Sequence, residues 1–256
     1  MRTIRLIDSK SILAEASGYI EAYDWTIMPF TGCHYGCTYC YVPTMFYFRK
    51  RAATWGQDLD GKRNAAELLR KEAEKGKVAG KRFFLSSSTD PYNPAEREHC
   101  ITRKILEVFC EYPPGLVMIQ TRGILVTRDL DLLSQLQKLG VIVVVGMSIT
   151  TDDDEVRKLF EPSCPSIARR VTALAEIHEA GLLTQGSLSP LLPCDPIKLA
   201  DLVDPHASWV TVQPFHARGC GARTWTPALE ILDQHGWEGW LEGGGAVERA
   251  MEVLRG

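Results

Sequence analysis

The stretch "DWTIMPFTGCHYGCTYCYVP" (residues 24–43) runs from an aromatic and β-branched segment straight into three cysteines. Residues 24–30 read as a strand, because their apolar and β-branched side chains fit a pleated, buried surface. Cys33, Cys37 and Cys40 follow at C-x-x-x-C-x-x-C spacing. Gly32 and Gly36 between and before them let the backbone curl so that neighbouring sulfurs converge. Thiolate sulfur suits zinc and iron–sulfur clusters. A structural zinc site takes four protein ligands, for which His34 and Cys220 are the candidates to complete the set. A [4Fe–4S] cluster held by three cysteines instead leaves one iron open to a small molecule. Spacing alone admits both readings.

Downstream of the cysteines, short β-branched runs alternate with longer amphipathic segments. Further strands are expected at 82–88, 116–121, 141–149, 182–190 and 209–215. Helical spacing of apolar residues appears over 64–76, 102–114, 128–140 and 168–181. Three of these segments close on a glycine and the fourth on prolines, as helix ends do. Repeated strand–helix units mean parallel strands joined by crossover helices, and hence an α/β fold. Six strands are too few for a closed eight-unit barrel, so the choice lies between an open doubly wound sheet and a partial barrel. In either, the loops leaving the C-terminal ends of the strands line the site. Every loop rich in Ser, Asp, Arg, Cys and Pro then falls on one rim. The expected organisation is one domain over 1–256: a core of about 20–215, an N-terminal extension 1–19 and a C-terminal helical segment 224–256.

The 256 residues are 45% apolar and 24% charged with a net charge of −3, which gives no general field for nucleic acid. A local exception is "FYFRKRAATW" (46–55), a mix of aromatic and basic residues that suits base stacking or, more plainly, a solvated connection. No run of some 18 apolar residues is present to span a membrane, and the N-terminus lacks the continuous apolar core of a signal peptide. Eight cysteines without an export signal point to a reducing, cytoplasmic setting.

Taken together, the cysteine loop after a first strand, a tyrosine on each side of Cys40, and six strand–helix units resemble the radical S-adenosylmethionine enzymes. The stretches "SSSTDPYNPAE", "TRGILVTRDLDLL", "SITTDDDEVRKLFEPSCPSIARR" and "PLLPCDP" narrow the resemblance to the branch that contains spore photoproduct lyase, over about residues 10–215. The resemblance implies an α/β fold of the partial (β/α)6 TIM-type barrel. It also implies a [4Fe–4S] cluster on Cys33, Cys37 and Cys40, with S-adenosylmethionine on the open iron. Cleavage by one electron would give methionine and a 5′-deoxyadenosyl radical that abstracts hydrogen from a substrate. By the same likeness, Tyr41 lines the adenine pocket, and Ser87, Ser88 and Asp90 take the methionyl ammonium. Arg122, Ser148, Arg169 and Arg170 contact the carboxylate and ribose. The residue types agree: an ammonium needs acceptors, and a carboxylate suits a guanidinium fork. An external electron donor of flavodoxin or ferredoxin type is implied as partner.

The likeness departs in one place. The lyase branch carries a hydrogen-donating cysteine after the second strand, where this chain has Ser87, whose O–H bond is too strong to quench a carbon radical. Fold and cofactors are therefore expected to carry over, while the substrate is not; DNA-lesion cleavage remains the alternative, and a non-catalytic iron–sulfur or zinc protein another. Tyr39 and Tyr41 are candidates for radical return. Cys220, among His216, Arg218 and Arg223, is the candidate hydrogen donor. Cys164 and Cys194 are expected in rim loops, and Cys100 and Cys110 as small hydrophobes on a helix. Glu161 is expected to read the ribose hydroxyls or to cap the following helix. Trp237 and Trp240 are expected to pack the C-terminal segment on the barrel.

Overall fold

The computed structural model describes residues 2–215, 226–241 and 243–255. Among them are ten strands: β1 Thr3–Ile7, β2 Leu13–Glu15, β3 Trp25–Ile27, β4 Phe30–Thr31, β5 Asp58–Lys62, β6 Arg82–Leu85, β7 Leu116–Thr121, β8 Ile142–Ser148, β9 Leu183–Leu188 and β10 Trp209–Val212. The α-helices are α1 Ala65–Glu74, α2 Glu96–His99, α3 Ile101–Glu111, α4 Leu130–Lys138, α5 Asp154–Phe160, α6 Ile167–Glu179, α7 Pro196–Val203, α8 Thr226–Gln234 and α9 Gly245–Arg255. All six strands expected from the apolar runs are present, as are the four expected crossover helices.

The main sheet has the order β10-β9-β8-β7-β6-β3-β2, parallel throughout except for β2, which pairs antiparallel with β3 at one edge. Each strand lies beside the strand that precedes it in this sheet, and the order never reverses. A doubly wound sheet has a switch point where the order turns back, whereas a barrel winds in one direction. The sheet is thus a partial barrel of six parallel strands, and β10 and β2 do not meet. Its central strand β8 is buried from Val143 to Ser148, as expected of a parallel strand covered on both faces. Outside it, α1 buries Ala65, Leu69 and Ala73 one turn apart, and α3 buries Ile101, Ile105 and Phe109. The glycines after α1, α4 and α6 (Gly76, Gly140 and Gly181) all adopt positive φ.

A second, three-stranded sheet, β1-β5-β4, was not expected. Here β1 pairs in parallel with β5 from Thr3↔Asp58 to Ile7↔Lys62, and Arg5 grips Asp60 through two hydrogen bonds of 3.0 Å. β4 joins antiparallel to β5, which places this small sheet directly beneath the cysteine loop. No helix among the described residues is long and apolar enough to cross a membrane.

Candidate functional site

The cysteine loop leaves β4 at Gly32. Gly32 has φ +95°, and a Cβ there would stand 2.5 Å from the Asp58 carbonyl oxygen; Gly36 has φ +57° and lies against Gly56. Both positions require glycine, so the loop can fold back across the small sheet. Cys33 and Cys37 are buried and Cys40 is half-buried, and all three are free thiols. The loop packs in an apolar cluster with Phe160 of α5 and with Ala228 and Leu232 of α8. Thr38 fastens it by donating from its N–H to the Phe160 carbonyl at 2.9 Å. Trp237 stacks on Phe160 with centroids 6.5 Å apart, and Trp240 packs against the same cluster, so both tryptophans do pack the C-terminal segment inward.

Several rim loops converge on these thiols. Asp90, after β6, is buried and accepts from the Tyr92 N–H (2.9 Å), the Thr121 hydroxyl (2.6 Å) and the Arg122 N–H (2.9 Å). Burial holds its carboxyl above the ordinary value even though these donors pull it down. Three of its roughly four acceptor positions are thus engaged within the protein, and Asp90 acts first as a clamp that sets Arg122 in place. Arg122, after β7, donates from Nη1 to Cys37 Sγ at 3.1 Å and lies over the Tyr39 ring, 5.9 Å from its centroid. Its Nε is buried without a hydrogen-bond partner and stands 3.9 Å from Glu161 Oε1.

Glu161, at the end of α5, is fully buried and forms an ion pair of 2.5 Å with the equally buried Arg170 of α6. The contact is ionic rather than a well-aligned hydrogen bond, since neither Glu161 Oε2 nor Arg170 Nη2 has a hydrogen-bond partner. Tyr39 donates its hydroxyl to Glu161, as does Thr150 at 3.1 Å. Burial alone would raise the Glu161 carboxyl, but Arg170 and then Arg122 more than reverse this, and it lies below the ordinary value. Arg170 also donates to the Ser148 carbonyl at 3.0 Å and the Pro165 carbonyl at 2.9 Å, tying the end of β8 to the start of α6. Glu161 therefore neither faces solvent nor caps α6; the cap of α6 is Ser166.

The thiols differ in acidity. Burial, followed by Asp90 and the neighbouring cysteines, pushes Cys33 far up, and burial raises Cys40 to about 12. Cys37 is lowered, first by the hydrogen bond from Cys164, whose sulfur lies 3.8 Å away, and against burial by Arg122. Three such buried thiols deprotonate together only when a cationic group takes up their charge. Among the described residues no three His, Cys, Asp or Glu side chains converge on one ion-sized point. Three free thiols on one loop are by their chemistry a donor set that iron–sulfur clusters accept. His34, one candidate for a fourth zinc ligand, instead donates its N–H to Asn93 and places Nε2 3.1 Å from the Thr3 carbonyl.

Of the other residues expected at the site, Ser148 is buried at the end of β8 and accepts from Gln120 at 3.1 Å. Ser87 and Ser88 are half-buried on the β6 loop, and Tyr41 is half-buried beside Cys40. Arg169 is exposed on α6, unlike the fully buried Arg170. Cys220, His216, Arg218 and Arg223 lie outside the described residues. Cys110 is half-buried against the Leu132 carbonyl, Cys100 sits between α2 and α3, and burial holds the Cys194 thiol up at about 12. Sequence reasoning missed Ser86, which holds φ +64° with its buried hydroxyl unpartnered. A left-handed serine at a strand end with a buried, unpartnered hydroxyl is the kind of strain that functional loops retain. Its only trace in the sequence is the run Ser86-Ser87-Ser88. Sequence reasoning also missed the proximity of Cys164 to Cys37, which depends on α5 folding back over the loop.

Residues 27–194 match the family model described as Radical SAM superfamily. An uncharacterized protein of Methanocaldococcus jannaschii is 29% identical over 196 residues, 77% of this chain and 68% of that one. Another, from Acidianus two-tailed virus, is 30% identical over 232 residues, 84% of this chain and 72% of that one. Among solved structures, spore photoproduct lyase complexed with dinucleoside spore photoproduct matches with a TM-score of 0.55 at 17% identity, over 73% of this chain and 51% of that one. A mutant of that lyase with bound AdoMet and dinucleoside spore photoproduct matches with a TM-score of 0.61 at 16% identity, over 90% of this chain and 65% of that one. The chain thus spans between half and two thirds of the length of the lyase structures it matches, and the likeness is one of fold.

Proposed function

This chain belongs to the radical SAM superfamily, and on that premise we propose that it is an enzyme holding a [4Fe–4S] cluster on Cys33, Cys37 and Cys40, with S-adenosylmethionine at the iron left open. The observation that carries the reading is Arg122, a half-buried guanidinium seated on Cys37 whose Nε–H makes no hydrogen bond. It neutralises thiolate charge on one side and offers a donor to an anionic ligand on the other. Held there, the cluster would supply the electron for reductive cleavage of S-adenosylmethionine, and with it the means to abstract a hydrogen atom from a substrate.

The chain's own residues bind, orient and exclude water. Asp90 and Thr121 fix the backbone from which Arg122 reaches the methionyl carboxylate. Ser86, Ser87 and Ser88 offer hydroxyls on the β6 loop to the ammonium, with the remaining acceptor position of Asp90 behind them. Ser148, at the β8 end, takes the ribose in this reading, and Tyr41 lines the adenine pocket. Arg170 acts indirectly, by holding Glu161 against Tyr39, and so keeps that phenol in a single orientation beside the thiols. The wall of Phe160, Leu232 and Trp237 keeps bulk water off the cysteine loop. Substrate hydrogen abstraction is the reaction class, and the lyase's lesion is not carried over as substrate, because by the resemblance Ser87 stands where that branch has its hydrogen-donating cysteine.

Anaerobic reconstitution with iron and sulfide tests the reading. Expected are about four irons and four sulfides per chain, a spectrum that changes on adding S-adenosylmethionine, and 5′-deoxyadenosine after dithionite reduction. Tight zinc with none of these behaviours would overturn it.

A further inference from the structure

Directly after Cys40 the chain turns through two short 3-10 stretches, Val42–Thr44 and Phe46–Thr54. The second has an inner and an outer side. On the inner side, Phe48 is buried edge-on to Trp55 with centroids 6.0 Å apart. Trp55 packs in the same apolar cluster as Cys40. Arg51 turns inward to Asp60 of β5 and fastens the segment to the small sheet. On the outer side, Phe46 is 77% and Tyr47 87% exposed, set edge-on to one another at 5.6 Å. Arg49 and Lys50 beside them are exposed, and neither makes an ion pair among the described residues. Residues 46–55 carry three cations and no carboxylate in a chain whose net charge is −3.

Two adjacent, solvent-facing aromatic rings flanked by uncompensated cations are the composition of a binding hot spot. Building on the functional reading above, we propose that Phe46, Tyr47, Arg49 and Lys50 form the docking patch for the external electron carrier, a small acidic flavin or iron–sulfur protein. Position decides between this occupant and a nucleic-acid substrate. A substrate must reach the ends of the six parallel strands, where Arg122 and Ser148 stand. The patch is anchored to the small sheet instead through Arg51 on Asp60, and Phe48 behind it packs on Trp55, which belongs to the apolar cluster of the cysteine loop. A carrier docked there meets the cysteine-loop side of the fold and leaves the strand ends free for the substrate. In each encounter the carrier's reduced centre loses one electron and the cluster gains it, with no bond made between the two proteins. Charge complementarity supplies the encounter rate and the salt sensitivity, and the aromatic pair supplies the desolvated centre.

The test uses the reconstituted holoenzyme and two variants, Arg49→Glu/Lys50→Glu and Phe46→Ala/Tyr47→Ala. The readouts are calorimetric binding of oxidised flavodoxin and anaerobic stopped-flow reduction of the cluster by photoreduced flavodoxin or a reduced ferredoxin. Both variants should keep parental iron content and parental reduction by dithionite. Carrier binding and carrier-driven reduction should fall about tenfold or more at low salt, and the parent's rate should fall as salt is added. Parental carrier rates in both variants would overturn the proposal. So would failure of both carriers to reduce a parent that dithionite reduces. Loss of binding to a single-stranded oligothymidine with carrier rates intact would reassign the patch to nucleic acid. Absence of dithionite-driven 5′-deoxyadenosine in the parent would instead overturn the functional reading, so the two failures are distinguishable.

Discussion

Replacing Glu161 by Gln removes one charge and leaves the shape nearly unchanged. In the parent, Glu161 and Arg170 are both fully buried and form an ion pair of 2.5 Å, while Arg122 approaches the same carboxylate to 3.9 Å. The variant leaves the buried guanidinium of Arg170 and the half-buried one of Arg122 facing a neutral amide. Removing one partner of a buried pair costs about 3–5 kcal/mol. Glutamine keeps a polar contact to Tyr39 and Thr150, which returns about 1 kcal/mol. The net loss is then about 2–4 kcal/mol, or roughly 5–15 °C in melting temperature for a chain of this size. The assay is urea and thermal unfolding of the cluster-free protein at neutral pH. The control is Glu111→Gln, which breaks the pair with Arg70 whose side chains are 49% and 41% exposed, and which should leave the midpoint near the parent's. The sign with pH follows from the depressed carboxyl of Glu161. Its contribution is present above the unfolded carboxyl value and is lost as pH falls through the folded one, so parent and variant should converge in acid. A neutral-pH midpoint for Glu161→Gln no lower than that of the control would refute the reasoning.

Cys37→Ala should abolish iron loading on reconstitution, whereas Cys110→Ala should leave it at the parental level, both read by iron and sulfide analysis. Asp90→Ala releases the backbone that carries Arg122 and should weaken S-adenosylmethionine binding about tenfold or more while sparing iron content, since it removes charge-assisted hydrogen bonds; titration of the cluster spectrum measures both. Gly32→Ala places a side chain at φ +95° and against the Asp58 carbonyl, and should lower iron content. Gly80→Ala, at φ +69° but with nothing within 4 Å, is the matched control for backbone strain and should not.

Most of the six parallel strands were legible as runs rich in apolar and β-branched residues, β8 (IVVVGMS) most plainly, since a strand covered on both faces announces itself in one stretch of sequence. The direction of winding was not legible; it became so only once the strand order showed no reversal. The small sheet was hidden for the opposite reason. "DLDGK" in β5 has no strand pattern of its own and is held by its parallel pairing with Thr3–Ile7 and by Arg5 and Arg51 on Asp60. The cysteine loop and Arg122 were visible as residue types. Asp90 was visible too, but as a ligand contact rather than as the clamp its three internal donors make it. Glu161 lay in plain sight beside Pro162, yet its pairing with Arg170 required α5 and α6 to fold back on one another, which no local pattern specifies.

The cover over the thiols comes from far along the chain. Ala228 and Leu232 of α8 close over a loop that emerges from the ribosome long before them. At ordinary elongation rates of about 5–20 residues per second, the interval is roughly ten to forty seconds. Throughout it the cysteine loop lacks that part of its cover, which only the last quarter of the chain supplies.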